Sequence, residues 1–126
     1  MVTLTPEEIK RRSPVWDELS MLFVGKELEE YDYERIARIL YESKYSKQEI
    51  DSILLNEVSP VFRANLYSIP EMEGWSSESV AEEIVSYLND QSLSKRLFER
   101  PLVNKILMPK VAKYRWDIVC SKLQKK

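Results

Sequence analysis

The residues best suited to chemistry lie in one short acidic stretch, Gly25–Glu34, which reads GKELEEYDYE. It holds five carboxylates and two tyrosines within ten residues. Carboxylates can ligate a metal ion, exchange protons with a substrate, or attract a cationic partner. Because like charges so close in sequence repel one another, the grouping indicates either plain solvated surface or one of these three uses.

Metal binding and acid–base catalysis both fit this stretch poorly. A calcium loop needs oxygen ligands at set positions and a glycine at the turn, a pattern that KELEEYDYERIA lacks. The chain has no histidine, which excludes a Glu-x-x-His di-iron site and any Ser-His or Cys-His nucleophile pair. We expect no metal, no cofactor and no catalytic residue. An enzyme that works through paired carboxylates is kept as a second alternative.

A surface for a basic partner explains the acids better. Carboxylates at a helix N-terminus complement the helix dipole, which accounts for Asp32 and Glu34 but not for the three glutamates of the predicted loop before them. A second acidic loop, PEMEGW, contains a tryptophan, and aromatic residues are favoured at interfaces. The predicted partner-binding residues are Glu27, Glu29, Glu30, Tyr31, Asp32, Glu71, Glu73 and Trp75.

The charge of the chain is divided along its length. Residues 1–90 hold 19 acidic and 9 basic side chains, whereas residues 91–126 hold 2 acidic and 10 basic ones. We expect the basic C-terminal helices to pack on the acidic body, or to pair with it in a homodimer. Binding of nucleic acid through residues 91–126 is the first alternative, although no RNA-binding or helix-turn-helix signature supports it.

Capping signals predict where the helices that hold these residues begin. Thr5, Pro6 and Glu8 predict one start, and Ser13 with Pro14 predicts a second. Further starts are predicted at Asp32, at the capping box of Ser46 and Glu49, and at Ser76 or Ser77, with an interruption at Pro60.

Apolar residues at helical spacing predict which faces are buried. They form five stripes: Val15, Leu19, Leu22 and Phe23; Tyr33, Ile36, Ala37 and Leu40; Ile50, Ile53, Leu54 and Val58; Val80, Ala81, Ile84 and Leu88; and Ala112, Trp116, Val119 and Leu123. Only two glycines occur in 126 residues, which disfavours a fold rich in tight turns. The prediction is an all-α fold, a compact single-domain bundle of five to seven short helices spanning residues 1–126.

The chain shows no sign of export or membrane insertion. Its N-terminus, MVTLTPEEIKRR, lacks the apolar segment of a signal peptide, and no apolar run reaches about 18 residues. Cys120 is the only cysteine, so no intramolecular disulfide can form, and we expect it to be a small buried apolar residue. These features predict a cytoplasmic protein.

Two segments, RRSPVWDELSMLFVGKEL and IARILYESKYSKQEIDSILLNEVSPVFRANL, carry a recognisable pattern. In it the chain resembles a family of small bacterial domains of uncharacterised function, over about residues 9–88. The residues that carry the likeness are Arg11, Arg12, Pro14, Val15, Trp16, Ile36, Ala37, Tyr45, Ser46, Glu57, Val58, Pro60, Val61, Asn65 and Leu66, with Gly74 and Trp75 after them. The resemblance implies a small bacterial domain and brings no activity with it.

The overall profile is also similar to that of bacterial immunity proteins, which are small, cytoplasmic, often acidic and free of catalytic residues. Such proteins block toxin domains, including those of contact-dependent growth inhibition. This similarity implies an antitoxin-type binding protein that covers the active-site cleft of a basic toxin domain, with a nuclease as the expected class. A nuclease cleft attracts phosphates with Lys and Arg, so an acidic surface would complement it.

Overall fold

The computed structural model describes residues 4–24, 27–62, 77–89 and 108–124. Three predicted partner-binding residues, Glu71, Glu73 and Trp75, lie outside the described residues. Within the described ranges every regular element is helical, which confirms the prediction of an all-α fold. The single domain over residues 1–126, with an acidic body and basic C-terminal helices, stays a prediction.

The first helix, α1, spans Pro6–Ser20 and continues into a 3₁₀ turn, Met21–Phe23. It begins as predicted. The Thr5 hydroxyl accepts a hydrogen bond from the Glu8 amide at 3.2 Å. Pro6 lies at the start, where a residue without an amide hydrogen costs nothing.

Helix α1 runs through Pro14 without a break, so the prediction of a second helix start at Ser13 is wrong. A proline inside a helix lacks one amide donor and crowds the preceding turn. In that turn the Ser13 hydroxyl donates to the Ile9 carbonyl at 2.6 Å. Val15 and Trp16, which follow directly, are fully buried. Burial of this face therefore outweighs the local preference for a break.

The second helix, α2, spans Glu30–Glu42, and its N-cap is Glu29. The prediction of Asp32 as the cap is wrong by three positions. Asp32 is instead the third helical residue, and its Oδ2 atom accepts a hydrogen bond from the Glu29 amide at 2.8 Å. A carboxylate that reaches back to the cap is one half of a capping box, so the aspartate stabilises the same helix end from inside.

The third helix is a continuous rod of three parts: α3, Lys47–Ile53; a π-helical segment, Leu54–Val58; and α4, Ser59–Phe62. The predicted capping box at its start is confirmed. The Ser46 hydroxyl accepts from the Glu49 amide at 3.1 Å, and the Glu49 carboxylate accepts from the Ser46 amide at 2.8 Å.

The predicted interruption at Pro60 is wrong, because the rod continues through this residue. The preceding π-helical segment ends where the Ser59 amide donates to the Leu54 carbonyl, five residues back. A change from five-residue to four-residue spacing already interrupts the backbone hydrogen-bond ladder. The missing amide of Pro60 therefore costs less there than in a regular helix.

Two further helices complete the described part of the chain: α5, Ser77–Asn89, and α6, Lys110–Gln124. The start of α5 at Ser77 agrees with one of the two predicted starts, Ser76 or Ser77. Helix α6 packs on α2, and α5 packs on α1, while the π-helical segment contacts both α1 and α5. None of the described helices is long and apolar enough to cross a membrane.

The core is built from the five predicted stripes. The side chains of the first three stripes are all buried. In α5 and α6 the stripe centres Val80, Ile84, Trp116 and Val119 are buried, whereas Ala81, Leu88 and Leu123 pack against the core while remaining partly exposed. The stripes bring α2 against α6, and this contact positions the acidic residues.

Candidate partner-binding site

Four of the predicted partner-binding residues lie on the surface at the start of α2. Glu27, Glu29 and Glu30 are exposed, and the side chain of Tyr31 is 67% exposed. The prediction that Tyr33 packs in the core is confirmed, since it is buried. The two tyrosines therefore have different surroundings, as expected for residues two positions apart on a helix with one buried face.

Asp32 differs from these residues because it is buried, with an exposed fraction of 2%. One oxygen holds the Glu29 amide, and the other accepts from the Arg35 guanidinium at 3.2 Å. Arg35 also pairs with Glu18 of α1 at 3.1 Å. Asp32 thus fixes the start of α2 and its contact with α1, and its charge is balanced inside the protein.

Lys122 of α6 neutralises part of the exposed acidic group. Its ammonium pairs with Glu34 at 2.8 Å and also with Glu30, so that one cation bridges two carboxylates of α2. The hydrogen bonds that Lys122 donates to these two glutamates raise its pKa above the ordinary value. The pairing was not foreseen from the sequence, because the lysine lies 92 residues from Glu30.

Glu27 and Glu29 differ from Glu30 in that the described part of the chain offers them no ion pair. Within residues 4–24, 27–62, 77–89 and 108–124, neither has a cationic partner within 4 Å. Buried Arg115 is near enough to interact with Glu27 electrostatically. Among the described residues at the start of α2, the acids without an ion pair are therefore these two glutamates.

A groove of about 400 Å³ runs beside these acids, between the start of α2 and the first half of α6. Glu27, Glu29 and Glu30 line one wall. The other wall is largely apolar, with Val111 48% exposed and Tyr114 66% exposed.

The apolar wall continues to Ile118, so that Val111, Tyr114 and Ile118 form an outward stripe at i, i+3 and i+7 on α6. We did not predict this stripe. Its spacing was visible in the sequence, but the stripe of Ala112, Trp116 and Val119 on the same helix is the stronger apolar signal.

Arg115 of α6 also lines the groove. It is buried, and its guanidinium donates to the backbone carbonyls of Leu22 at 3.2 Å and Val24 at 2.8 Å. Burial lowers the pKa of Arg115, and this effect is opposed by Tyr33 and Glu27. The arginine thus ties α6 to the chain just before the acidic stretch. One cation of the basic C-terminal third therefore binds backbone carbonyls of the same chain.

Three residues that carry the family resemblance meet in one partly buried network. The Glu57 carboxylate accepts from the Trp16 indole at 2.8 Å and pairs with Arg12. Burial disfavours the charge of Arg12, yet its bonds to Glu57 more than compensate and raise its pKa. This network joins α1 to the π-helical segment, and its residues therefore serve the fold.

Cys120 lies at the edge of the core rather than within it. Burial raises the pKa of its thiol above the ordinary value, while nearby Lys47 acts in the opposite direction. In the described part of the chain, no three His, Cys, Asp or Glu side chains are grouped so that they could hold a metal ion.

Comparison with known proteins identifies one family. The model of a domain of unknown function, DUF7079, matches residues 10–122. The match extends well past residue 90, beyond the range over which the sequence pattern showed a likeness. No curated protein and no solved structure matches the chain.

Proposed function

The chain belongs to the DUF7079 family, and we propose that it is a binding protein that neutralises a basic partner, in the manner of a bacterial immunity protein or antitoxin. The proposed partner is a toxin domain, with a nuclease as the leading class. The contact surface is the groove between the start of α2 and the first half of α6, extended by Tyr31.

The observation that carries this proposal is the combination of charge and apolar area in one groove. Glu27 and Glu29 have no cationic partner within 4 Å in the described part of the chain, and the exposed side chains of Val111 and Tyr114 line the same groove. Exposed aromatic side chains beside open charges are typical of surfaces that bind proteins. Neither property alone would distinguish this face from ordinary surface.

The internal pairing of Glu30 with Lys122 has a consequence for this role. A basic partner that approaches the groove competes with Lys122 for Glu30 and Glu34. Such competition lowers the net gain from those two acids, so most of the electrostatic attraction comes from Glu27 and Glu29. Rim charges of this kind chiefly raise the association rate and make it depend on salt.

A nuclease fits the groove for a chemical reason. Its cleft must attract phosphates, and it is therefore lined with Lys and Arg, which carboxylates can neutralise. It also accommodates bases, whose place an aromatic ring such as that of Tyr114 can take. Other basic toxin domains also present Lys and Arg, but they have no site that accommodates bases.

The test is binding to the basic protein encoded beside the gene for this chain, where the partner of an immunity protein is expected. We expect Glu27→Gln with Glu29→Gln to weaken binding by about tenfold or more at low salt, mainly through slower association. The matched control is Glu82→Gln with Glu83→Gln, which removes the same charge from exposed positions on α5.

Two results would contradict the proposal. One is an affinity that the Glu27 and Glu29 variant leaves unchanged at about 0.05 M salt, where surface charges are least screened. The other is a neighbouring protein that binds but whose toxic activity the chain does not reduce. Loss of binding in both variants alike would indicate that net charge, and not this groove, is responsible.

A further inference from the structure

A second cavity lies at the other end of the α2–α6 contact. It has a volume of about 420 Å³ and is formed by the last turn of α2, the first turn of α3 and the C-terminal part of α6. The acidic groove involves the start of α2, so the two sites lie about 15–20 Å apart along this helix of 13 residues. The cavity is therefore independent of the proposed function.

The interior of this cavity is apolar. Leu40, Ile50 and Leu123 contribute aliphatic walls, and Tyr41, which is 52% exposed, contributes an aromatic edge. Small-molecule sites are usually concave, about 300–1,000 Å³ in volume and mostly apolar, with a few polar groups that orient the ligand. The cavity meets each of these criteria.

The charged residues that line the cavity have one sign. Lys44 and Lys47 are lining residues, and none of the described lining residues is acidic. Lys47 donates to Asp51 at 2.8 Å, interacts with the Cys120 thiol and lies 5.4 Å from the centre of the Trp116 ring, which leaves one of its three N–H groups for another acceptor. The Lys44 ammonium lies 5.7 Å from the centre of the Tyr41 ring. Two ammonium groups above an apolar interior complement an anion with an apolar body.

The backbone at Lys44 supports a role for this side chain. Lys44 follows the end of α2 with a φ angle of 68°, and it is the one non-glycine residue with positive φ among those described. Glycine is the common residue at this position because a Cβ atom makes the left-handed conformation unfavourable. The chain thus carries a lysine at the cavity where a glycine would fold more easily.

We propose that this cavity binds a small amphipathic anion, a carboxylate with an unbranched apolar body. The carboxylate pairs with Lys44 and Lys47, and the apolar body lies against Leu40, Ile50 and Leu123. At about 30 Å³ per non-hydrogen atom, judged from liquid water, the cavity accommodates up to about 14 such atoms. Octanoate, an eight-carbon carboxylate, is a suitable probe.

Binding is measured with the full chain by NMR titration with octanoate. We expect saturable shifts of the amide signals around Leu40, Ile50, Cys120 and Leu123, with a Kd of about 1 mM or tighter. Octanol, which has the same chain without the charge, is expected to bind about tenfold more weakly. Equal binding of octanol would overturn the role of the lysines, and absence of shifts at these residues would overturn the site.

The lysines are tested with Lys44→Gln combined with Lys47→Gln, which we expect to weaken octanoate binding by about tenfold or more. The matched control removes two exposed lysines elsewhere, Lys10→Gln with Lys110→Gln, and is expected to bind normally. Lys44→Gly is a second variant that the backbone favours, so weaker binding there cannot come from misfolding. Equal losses in the control would contradict the proposal.

Cys120 offers an independent measurement because it lines the cavity and is the only cysteine of the chain. Iodoacetamide is neutral and alkylates the thiolate. We expect octanoate to slow this reaction with the same concentration dependence as the NMR shifts, and to lose its effect in the lysine variant. Unchanged alkylation at saturating octanoate would place the ligand elsewhere and overturn the proposal.

Discussion

The Glu57 carboxylate joins two elements, α1 and the π-helical segment. It accepts from the indole of Trp16 and pairs with Arg12, which also pairs with Glu8 at 3.4 Å. The two glutamates differ in burial: the side chain of Glu57 is 13% exposed and that of Glu8 is 48% exposed. Arg12 thus has one largely buried partner, Glu57, and one exposed partner, Glu8.

We expect Glu57→Gln to lower the free energy of unfolding by about 2–3 kcal/mol, because it leaves the partly buried guanidinium of Arg12 without its main counter-charge. Glu8→Gln removes the exposed partner of the same arginine and is expected to cost less than about 0.5 kcal/mol. Urea denaturation measures both. Similar losses of stability in the two variants would show that the Arg12–Glu57 pair contributes no more than the exposed Arg12–Glu8 pair.

Two of the helices contain a proline, and each accommodates it in a different way. Helix α1 contains the exposed Pro14 in its interior, and the rest of the helix forms because Val15, Trp16 and Leu19 are buried. The cost of the proline is therefore offset by tertiary contacts. The rod from α3 to α4 accommodates Pro60 by another means, a π-helical segment that changes the hydrogen-bond spacing before it.

We expect Pro14→Ala to raise the free energy of unfolding by about 1–2 kcal/mol, since it restores an amide donor and removes a clash with the preceding turn. Pro6→Ala is the matched control, and it should change stability little because proline is well suited to the first helical position. Chemical denaturation monitored by circular dichroism distinguishes the two. A loss of stability in Pro14→Ala would mean that the proline fits its site without strain.

Charge pairing between distant segments organises the whole molecule. Lys122 of α6 binds Glu30 and Glu34 of α2, and Arg115 of α6 holds the carbonyls of Leu22 and Val24. Within the described residues, these two cations of the basic C-terminal third are thus engaged by the acidic part of the same chain. Nucleic-acid binding through residues 91–126 stays an alternative prediction with fewer cations available to it.

The pairing of Lys122 predicts a pH dependence at the alkaline end. Its folded pKa is raised, so its contribution to stability is fully present below the ordinary lysine value of 10.5. The contribution is lost as the pH rises through the folded pKa.

We therefore expect Lys122→Gln to be less stable than the wild type at neutral pH, with a difference that diminishes above about pH 10.5. Lys113→Gln is the control on the same helix, because Lys113 is exposed and has no ion pair with a described residue. Thermal melts over a pH series provide the comparison. A difference between wild type and Lys122→Gln that stays constant into strong alkali would exclude the ion pair as its cause.

Local signals in the sequence were sufficient for the helical class, the buried faces and several helix starts. The capping box of Ser46 and Glu49 formed as predicted, because both partners lie within one turn. The stripes of α1, α2 and α3 turned inward as predicted, because helical periodicity determines which side chains share a face. These features depend on residues three or four positions apart.

Contacts between distant segments determine which acids remain open and where concave surfaces form. Glu30 pairs with a lysine 92 residues away, and the α2–α6 groove exists only because two distant helices meet. Local signals also predicted Asp32 as the helix cap, whereas in the structure Asp32 lies inside the helix and pairs with Arg35, which also pairs with Glu18. The spacing of apolar residues indicates which side chains face inward. Which helices then pack against each other depends on contacts between segments far apart in the sequence.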